Sequence, residues 1–182
     1  MRASRAHHVT MGRFDQYMYP YYLASVKKGV TDDEIQELTE LFFISVNLDT
    51  DLYHGVQQGD NGQSMVLGGR TAKSPDVYNR LSEIVLESSR RLCLIDPKIN
   101  LRVDKNTPRD RFIKGTELTE KGLGFPQYCN DDVVIPGLMK LGYSYEDACE
   151  YTVAACWEFI IPAESYEISN IVTMNFPLIV RR

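Results

Sequence analysis

Ser144-Tyr145-Glu146-Asp147-Ala148-Cys149-Glu150-Tyr151, continuing through Thr152-Val153-Ala154-Ala155-Cys156-Trp157-Glu158-Phe159-Ile160-Ile161-Pro162, is the stretch whose reading decides the fold. Ser144 reads as a helix cap, and the two early acids favour the positive end of a helix. Ala148, Tyr151 and Val153 carry that helix to about Ala155. Cys156 to Ile161 is then apolar except for Glu158, as an extended segment would be, and Pro162 ends it.

Upstream, Val133 to Leu141 reads as a helix stopped by Gly142, and Gly122-Leu123-Gly124-Phe125-Pro126 as a tight loop. Pro108 to Gly115 is only weakly periodic. Ile99-Asn100-Leu101-Arg102-Val103 alternates with period two, as a half-buried strand does. Before it, Val77, Leu81, Ile84, Val85 and Leu92 form a helix face that Asp96-Pro97 ends. Ser74-Pro75-Asp76 reads as its N-cap, N1 proline and first-turn acid. Glycines at 55, 59, 62, 68 and 69 break the periodicity around a short strand near Met65-Val66-Leu67. Thr31-Asp32-Asp33-Glu34 is a capping box opening an amphipathic helix through Ile35, Leu38, Leu41, Phe42 and Val46. Arg13 to Tyr22 reads as a short helix ending near Tyr19 and a turn at Pro20. Helix, strand, helix and extended segment make an α/β pattern.

The 182 residues suffice for one domain with a sizeable core. The chain runs out at Leu178-Ile179-Val180-Arg181-Arg182 in what reads as mid-helix, and nothing like a terminal element precedes Gly12. The expectation is an internal piece cut at both ends. A net charge of −5 gives no support for a nucleic-acid surface. No run approaches the roughly 18 apolar residues of a membrane span. Met1 to His8 has no apolar stretch and does not read as a secretory signal. The four cysteines, Cys93, Cys129, Cys149 and Cys156, are scattered without a CxxC pair. That spacing argues against a disulfide framework or a zinc site and for a reduced, cytoplasmic protein with mostly buried thiols.

Cys156-Trp157-Glu158 is the most informative tripeptide. In an extended chain, residues two apart project to the same side, so a thiol and a carboxylate would share one face. Apolar surroundings would desolvate both and disfavour a thiolate. A neutral thiol beside a carboxylate suits hydrogen-atom chemistry, in which the S–H bond is the working part. The alternative is a buried cysteine and a glutamate paired with an arginine elsewhere. His7, His8 and His54 lack ligand spacing, and no metal is expected. The glycines between 55 and 69 do not match a phosphate loop. Asn130-Asp131-Asp132 reads as helix capping rather than a cation site, and Arg13-x-Asp15 as a structural ion pair. Gln63, Asn130 and Asn170 are candidates for contacting a substrate.

Four segments together resemble the glycyl radical enzymes of the pyruvate formate-lyase superfamily. Gly12-Arg13-Phe14-Asp15-Gln16-Tyr17 is similar to their Gly-Arg-x-Asp-Gln-Tyr signature, and Gly62 to Gly69 to their next glycine-rich stretch. Gly124-Phe125-Pro126-Gln127-Tyr128-Cys129-Asn130-Asp131 resembles the Gly-x-Pro-x-x-x-Asn-Asp element. Gly142 to Tyr151, leading into Ala155-Cys156-Trp157-Glu158, resembles the run ending in Gly-Cys-Val-Glu-Pro. The resemblance spans nearly all of the chain and points to the dehydratase and lyase branch. It implies part of a ten-stranded α/β barrel, with residues 1–182 as the central segment carrying the active-cysteine loop and the C-terminal glycyl radical domain absent. It further implies that Cys156 becomes a thiyl radical and that Glu158 is the base. The radical glycine lies outside this chain and is installed by a radical-SAM activating enzyme carrying an iron–sulfur cluster. The full-length protein is expected to be a homodimer acting on a small molecule, away from membranes and nucleic acids.

Departures from the pattern shape the functional expectation. Ala155 and Phe159 stand where the pattern has Gly and Pro, and Trp157 where it has Val. The pyruvate-cleaving members carry two adjacent cysteines, whereas this chain has Ala155-Cys156. Diol dehydratases carry an aspartate where this chain has Asn170. The expected function is cleavage of a C–O, C–N or C–S bond in a small polar metabolite. The alternatives are formate C-acetyltransferase activity and a truncated product or subunit without catalysis of its own.

Overall fold

The computed structural model describes residues 10–48, 62–155 and 157–165. Its frame is a parallel three-stranded sheet of β1 (Ser64–Gly68), β2 (Lys98–Val103) and β3 (Gln127–Asn130), paired in that order. Register sets Val66, Asn100 and Gln127 in one row across the sheet, and Gly68, Arg102 and Cys129 in the row two residues on. Side chains alternate between the two faces of a strand. Met65, Leu67, Ile99, Leu101 and Val103 therefore share one face. They pack on α3 (Asp32–Val46), α4 (Arg80–Leu92) and α5 (Arg109–Thr119) through Ile35, Phe43, Leu81, Val85 and Leu118. Val66 and Cys129 face the other way. There they meet α6 (Asp131–Lys140), α7 (Tyr145–Cys149) and a hairpin of β4 (Thr152–Ala154) and β5 (Glu158–Ile160).

This two-sided cover changes the reading of β2. Every residue from Ile99 to Val103 is buried, not only alternate ones. Period two survives in chemistry rather than exposure: aliphatic side chains face the helices, while Asn100 and Arg102 face the hairpin.

Helix ends follow their capping chemistry. The Thr31–Glu34 capping box forms, with Glu34 N donating to Thr31 Oγ1 at 3.3 Å and Thr31 N to Glu34 Oε2 at 2.8 Å. The face that α3 buries, however, is Ile35, Gln36, Thr39 and Phe43; Leu38 and Leu41 stay exposed. The helix is apolar on two sides, and α4 covers one of them. Gln36 joins this contact by donating to Ser88 Oγ at 2.6 Å.

Pro20 opens a helix instead of closing one. Following α1 (Phe14–Tyr17), it lies in the first turn of α2 (Tyr19–Lys27), where its missing N–H costs no helical bond. Ser74-Pro75-Asp76 does not start α4. That helix begins at Arg80 under Asn79, whose Oδ1 accepts from Leu81 N and Ser82 N at 2.9 and 3.3 Å. The Asp76 carboxylate is committed to Tyr78 N and Arg111, which keeps its own backbone out of the helix. The weakly periodic Pro108 segment proves to be the start of α5.

The helix expected to reach Ala155 stops at Cys149. Ser144 caps it as expected, accepting from Asp147 N at 3.0 Å. Tyr151, Thr152 and Val153 then favour the extended chain, and two arginines take the Cys149 and Tyr151 carbonyls. The apparent helical spacing came from residues buried on a strand.

The expected Arg13–Asp15 ion pair is replaced by separate partners. Arg13 Nη1 pairs with Glu150 Oε2 at 2.7 Å. Asp15, fully buried, accepts through Oδ2 from Gly68 N at 2.7 Å and Ser82 Oγ at 2.5 Å. Burial pushes its carboxyl above the usual aspartate range despite those bonds.

Two expectations follow. A carboxyl that holds its proton more tightly when folded loses stabilising power as pH rises from the ordinary aspartate value toward the raised one. Asp15→Asn keeps an acceptor but cannot ionise. Urea unfolding should therefore show the variant gaining on the parent as pH is raised from about 4 to about 8; a parent that gains on the variant contradicts this. Gly69, at φ +84°, presents its missing side chain to the Arg102 guanidinium, which a Cβ would overlap. Gly69→Ala should lower stability by about 2–4 kcal/mol in the same assay, from left-handed strain plus overpacking. A loss below about 1 kcal/mol would count against this packing.

Candidate active-site hairpin

The β4–β5 hairpin pairs Thr152 with Ile160, Val153 with Phe159 and Ala154 with Glu158, so Glu158 opens the return strand. Cys156 lies outside the described residues, as do Asn170, His7, His8, His54, Gly55, Gly59 and the stretch from Leu178 to Arg182. What the structure does show is how the hairpin is held.

Its base is fixed by buried charge. Arg102 is completely buried, and all five of its N–H groups are engaged. Nε and Nη2 bind the Asp131 carboxylate at 2.8 and 3.0 Å; Nη1 donates to Cys149 O and Tyr151 O at 2.9 and 3.3 Å; Nη2 also donates to Arg70 O at 3.3 Å. The guanidinium carbon stands 3.9 Å above the Tyr151 ring, and Tyr151 Oη donates to Asp131 Oδ1 at 2.7 Å. Asp131 Oδ2 accepts in addition from Arg70 N at 2.9 Å. Arg13 reaches the same segment through Cys149 O and Glu150, and ties it to β1 through Gly68 O. Burial of both ions costs several kcal/mol unless their hydrogen bonds are complete, and here they are.

One strand further, Val153 O accepts from Thr10 Oγ1 at 2.9 Å and Ser64 Oγ at 2.6 Å. Tyr151 thus lies at the carboxyl ends of the parallel strands and Val153 at the amino end of β1. β4 runs antiparallel to β1, and its tip points toward the amino ends of the sheet.

Gln63 lies at that end. Its N donates to Asp96 Oδ1 at 3.1 Å and its carbonyl accepts from Lys98 N at 2.8 Å, fixing the lead into β1. Asn130 lies at the opposite end and caps α6, accepting from Asp132 N at 2.9 Å. The expected capping role of the Asn130-Asp131-Asp132 run is present, with Asp131 held by Arg102.

Glu158 is exposed, and its Oε2 accepts from Trp157 N at 3.0 Å. The desolvation expected around this carboxylate is therefore not supplied by the described residues. Trp157 and Phe159 are exposed beside it, with Phe159 edge-on to Tyr151 at 5.6 Å. Ala155, immediately before Cys156, has φ 47°. This left-handed conformation favours glycine, the residue the motif carries there.

The described thiols, Cys93, Cys129 and Cys149, are poor nucleophiles or lie elsewhere. Burial pushes Cys129 up to about 12 and raises Cys149 also; Cys93 is exposed at the end of α4. Among the described residues no cluster of His, Cys, Asp and Glu is arranged to hold a metal, and no helix is long and apolar enough to cross a membrane. Reading the sequence alone misses Arg102, Asp131 and Tyr151 as a unit. Its one signal is a cation flanked by Leu101 and Val103 within the strand.

The comparisons with known proteins agree with this architecture. The profile of the family described as "Pyruvate formate lyase-like" matches residues 1–181. The (2S)-3-sulfopropanediol dehydratase of Klebsiella oxytoca is 31% identical over 181 residues, covering 96% of this chain and 22% of its own length. The isethionate sulfite-lyase of Oleidesulfovibrio alaskensis is 29% identical over 175 residues, covering 92% of this chain and 21% of its own. Among solved structures, the B12-independent glycerol dehydratase of Clostridium butyricum superposes with a TM-score of 0.79 at 34% identity, over 86% of this chain and 20% of that one. A structure describing 1,2-propanediol dehydration in Roseburia inulinivorans gives 0.81 at 31% identity, over 86% and 20%. The chain thus spans about a fifth of the length of the relatives it matches. Its α/β fold is part of the glycyl radical enzyme barrel, with three parallel strands and a two-stranded hairpin among the described residues. By this match along its length, the chain belongs to the pyruvate formate lyase-like family.

Proposed function

We propose that this chain is the central, active-cysteine segment of a glycyl radical lyase or dehydratase. The observation that carries the reading is a hairpin fixed at its base to the sheet, whose return strand opens on Glu158 and whose two strands flank position 156 in the sequence, so that the Cys156-x-Glu158 motif falls at its turn by residue order. The family match along residues 1–181 supports it. So do relatives named for eliminating water or sulfite from small polar molecules.

In this reading Cys156 gives its S–H hydrogen atom to a glycyl radical on a part of the polypeptide beyond this chain. The sulfur, now a thiyl, takes a hydrogen atom from a substrate carbon and restores S–H. Glu158 accepts the proton of an adjacent hydroxyl, and the leaving group departs with its bonding electron pair. Cys156 then returns its hydrogen atom to the product radical, and the thiyl recovers one from the glycine. The thiol must stay neutral for this, and nothing in the scheme calls on a thiolate.

The substrate class is a small polar metabolite with a C–O, C–N or C–S bond to break. Asn170 stands in place of the diol dehydratases' aspartate, which favours a leaving group other than a diol's hydroxyl. Gln63, at the end of the sheet toward which the hairpin tip points, and Asn130 and Asn170 are proposed substrate contacts. The radical is installed by a radical-SAM activating enzyme, and the full-length protein works as a cytoplasmic homodimer.

Anaerobic activation of the full-length protein should give the electron paramagnetic resonance doublet of a carbon-centred glycyl radical. Cys156→Ala should abolish turnover, and Glu158→Gln should lower kcat by about two orders of magnitude or more. A Cys156→Ala enzyme that still turns over contradicts the proposal. Coenzyme-A-dependent formation of acetyl-CoA and formate from pyruvate would replace it with the acetyltransferase reading.

A further inference from the structure

We infer that Tyr151, with Asp131 and Arg102, is a positioning unit for the Cys156 thiol; the inference rests on the role given to Cys156 above. Hydrogen-atom transfer requires the donor and acceptor atoms almost in contact, and a misplacement of about 1 Å can cost a hundredfold. In the scheme above Cys156 makes that approach four times per cycle, twice to the glycine and twice to the substrate or product carbon. Cys156 follows the last residue of β4 by two positions in the sequence, so its placement depends on a strand that does not move.

Three features fix the base, and all meet at Tyr151. Its carbonyl is taken by Arg102 Nη1 at 3.3 Å, its ring lies 3.9 Å under the guanidinium, and its hydroxyl donates to Asp131 Oδ1 at 2.7 Å. Asp131 in turn belongs to the first turn of α6, and its Oδ2 holds Arg70 N after β1. The residue is therefore clamped to the second strand, to the following helix and, through Asp131, to the end of the first strand. From Tyr151 the chain passes straight into β4, whose ladder with β5 carries Glu158 opposite Ala154. A shift at Tyr151 is carried along a paired strand toward the thiol and the carboxylate together.

The hydroxyl is separable from the rest. Arg102 has its charge partner in Asp131 without it, and every guanidinium N–H has an acceptor other than the phenol. The ring's apolar packing against Val66 and Val153 does not need it either. Burial holds the phenol proton on, so the hydroxyl stays a donor. Tyr151→Phe thus removes one tie and keeps the ring, the stacking and the ion pair.

The test is Tyr151→Phe in the full-length protein, activated anaerobically, with kcat expressed per glycyl radical spin. The expected result is kcat per spin down about tenfold or more with KM within twofold of the parent. Spin per subunit should stay at the parental level, because installing the radical does not call on the thiol. A parental kcat per spin overturns the inference, whatever the change in melting temperature. So does a rise in KM alone, which would assign Tyr151 to substrate binding, or a variant that does not fold, which would make the role structural. Cys156→Ser separates the two layers. If it turns over, the role of Cys156 itself fails; if it is dead while Tyr151→Phe is parental, only the positioning role fails.

Discussion

The buried pair of Arg102 and Asp131 is the constraint on which the rest of the structure depends. An arginine at no exposure in the middle strand would be untenable alone, since breaking such a pair leaves an uncompensated charge worth about 3–5 kcal/mol. The fold meets the demand by bringing five acceptor contacts to one guanidinium. The contacts come from four parts of the chain: the α6 N-terminus, which supplies two through Asp131, the end of α7, the lead into β4 and the loop after β1. Satisfying one side chain therefore fixes the relative placement of four segments. It also explains Gly69, whose missing side chain leaves room for the guanidinium.

The same pair divides the labour between the two faces of the sheet. The face covered by α3, α4 and α5 presents Met65, Leu67, Ile99, Leu101 and Val103 from the sheet. The other face carries Ser64, Asn100, Arg102 and Cys129 and receives the hairpin. Polar anchors there, Ser64 to the Val153 carbonyl and Arg102 to the Tyr151 carbonyl, do what hydrophobic packing does poorly: they specify one position along the strand axis. That suits a segment that leads into the Cys156-x-Glu158 motif.

Much of this was legible from residue order. The Thr31–Glu34 capping box, the β1 and β2 strands, the Ser144 cap and the Asn130 cap follow from local chemistry, and local chemistry is what they need. The misreadings share a cause. Tyr151 and Val153 looked helical because burial in the lead into β4 and on β4 itself mimics a helical stripe. Arg13 and Asp15 looked like partners because they are near in sequence, yet each is satisfied by a segment far along the chain, Glu150 for one and Gly68 for the other. Leu38 and Leu41 looked like core because hydrophobic spacing does not say which of two apolar sides a neighbour covers. At the candidate site, Cys156-x-Glu158 was readable as a motif, whereas the network behind it was not. A network drawing on residues 13, 70, 102, 131 and 151 leaves no periodicity in the sequence.

Amide hydrogen exchange on Asp131→Asn tests this account most directly, since the substitution keeps the shape of the carboxylate and removes its charge. The account predicts that amides of the β4–β5 ladder lose protection while those of Ile99 and Leu101 in β2 keep theirs. Loss of protection in both together, or in neither, would contradict the claim that this ion pair holds the hairpin to the sheet.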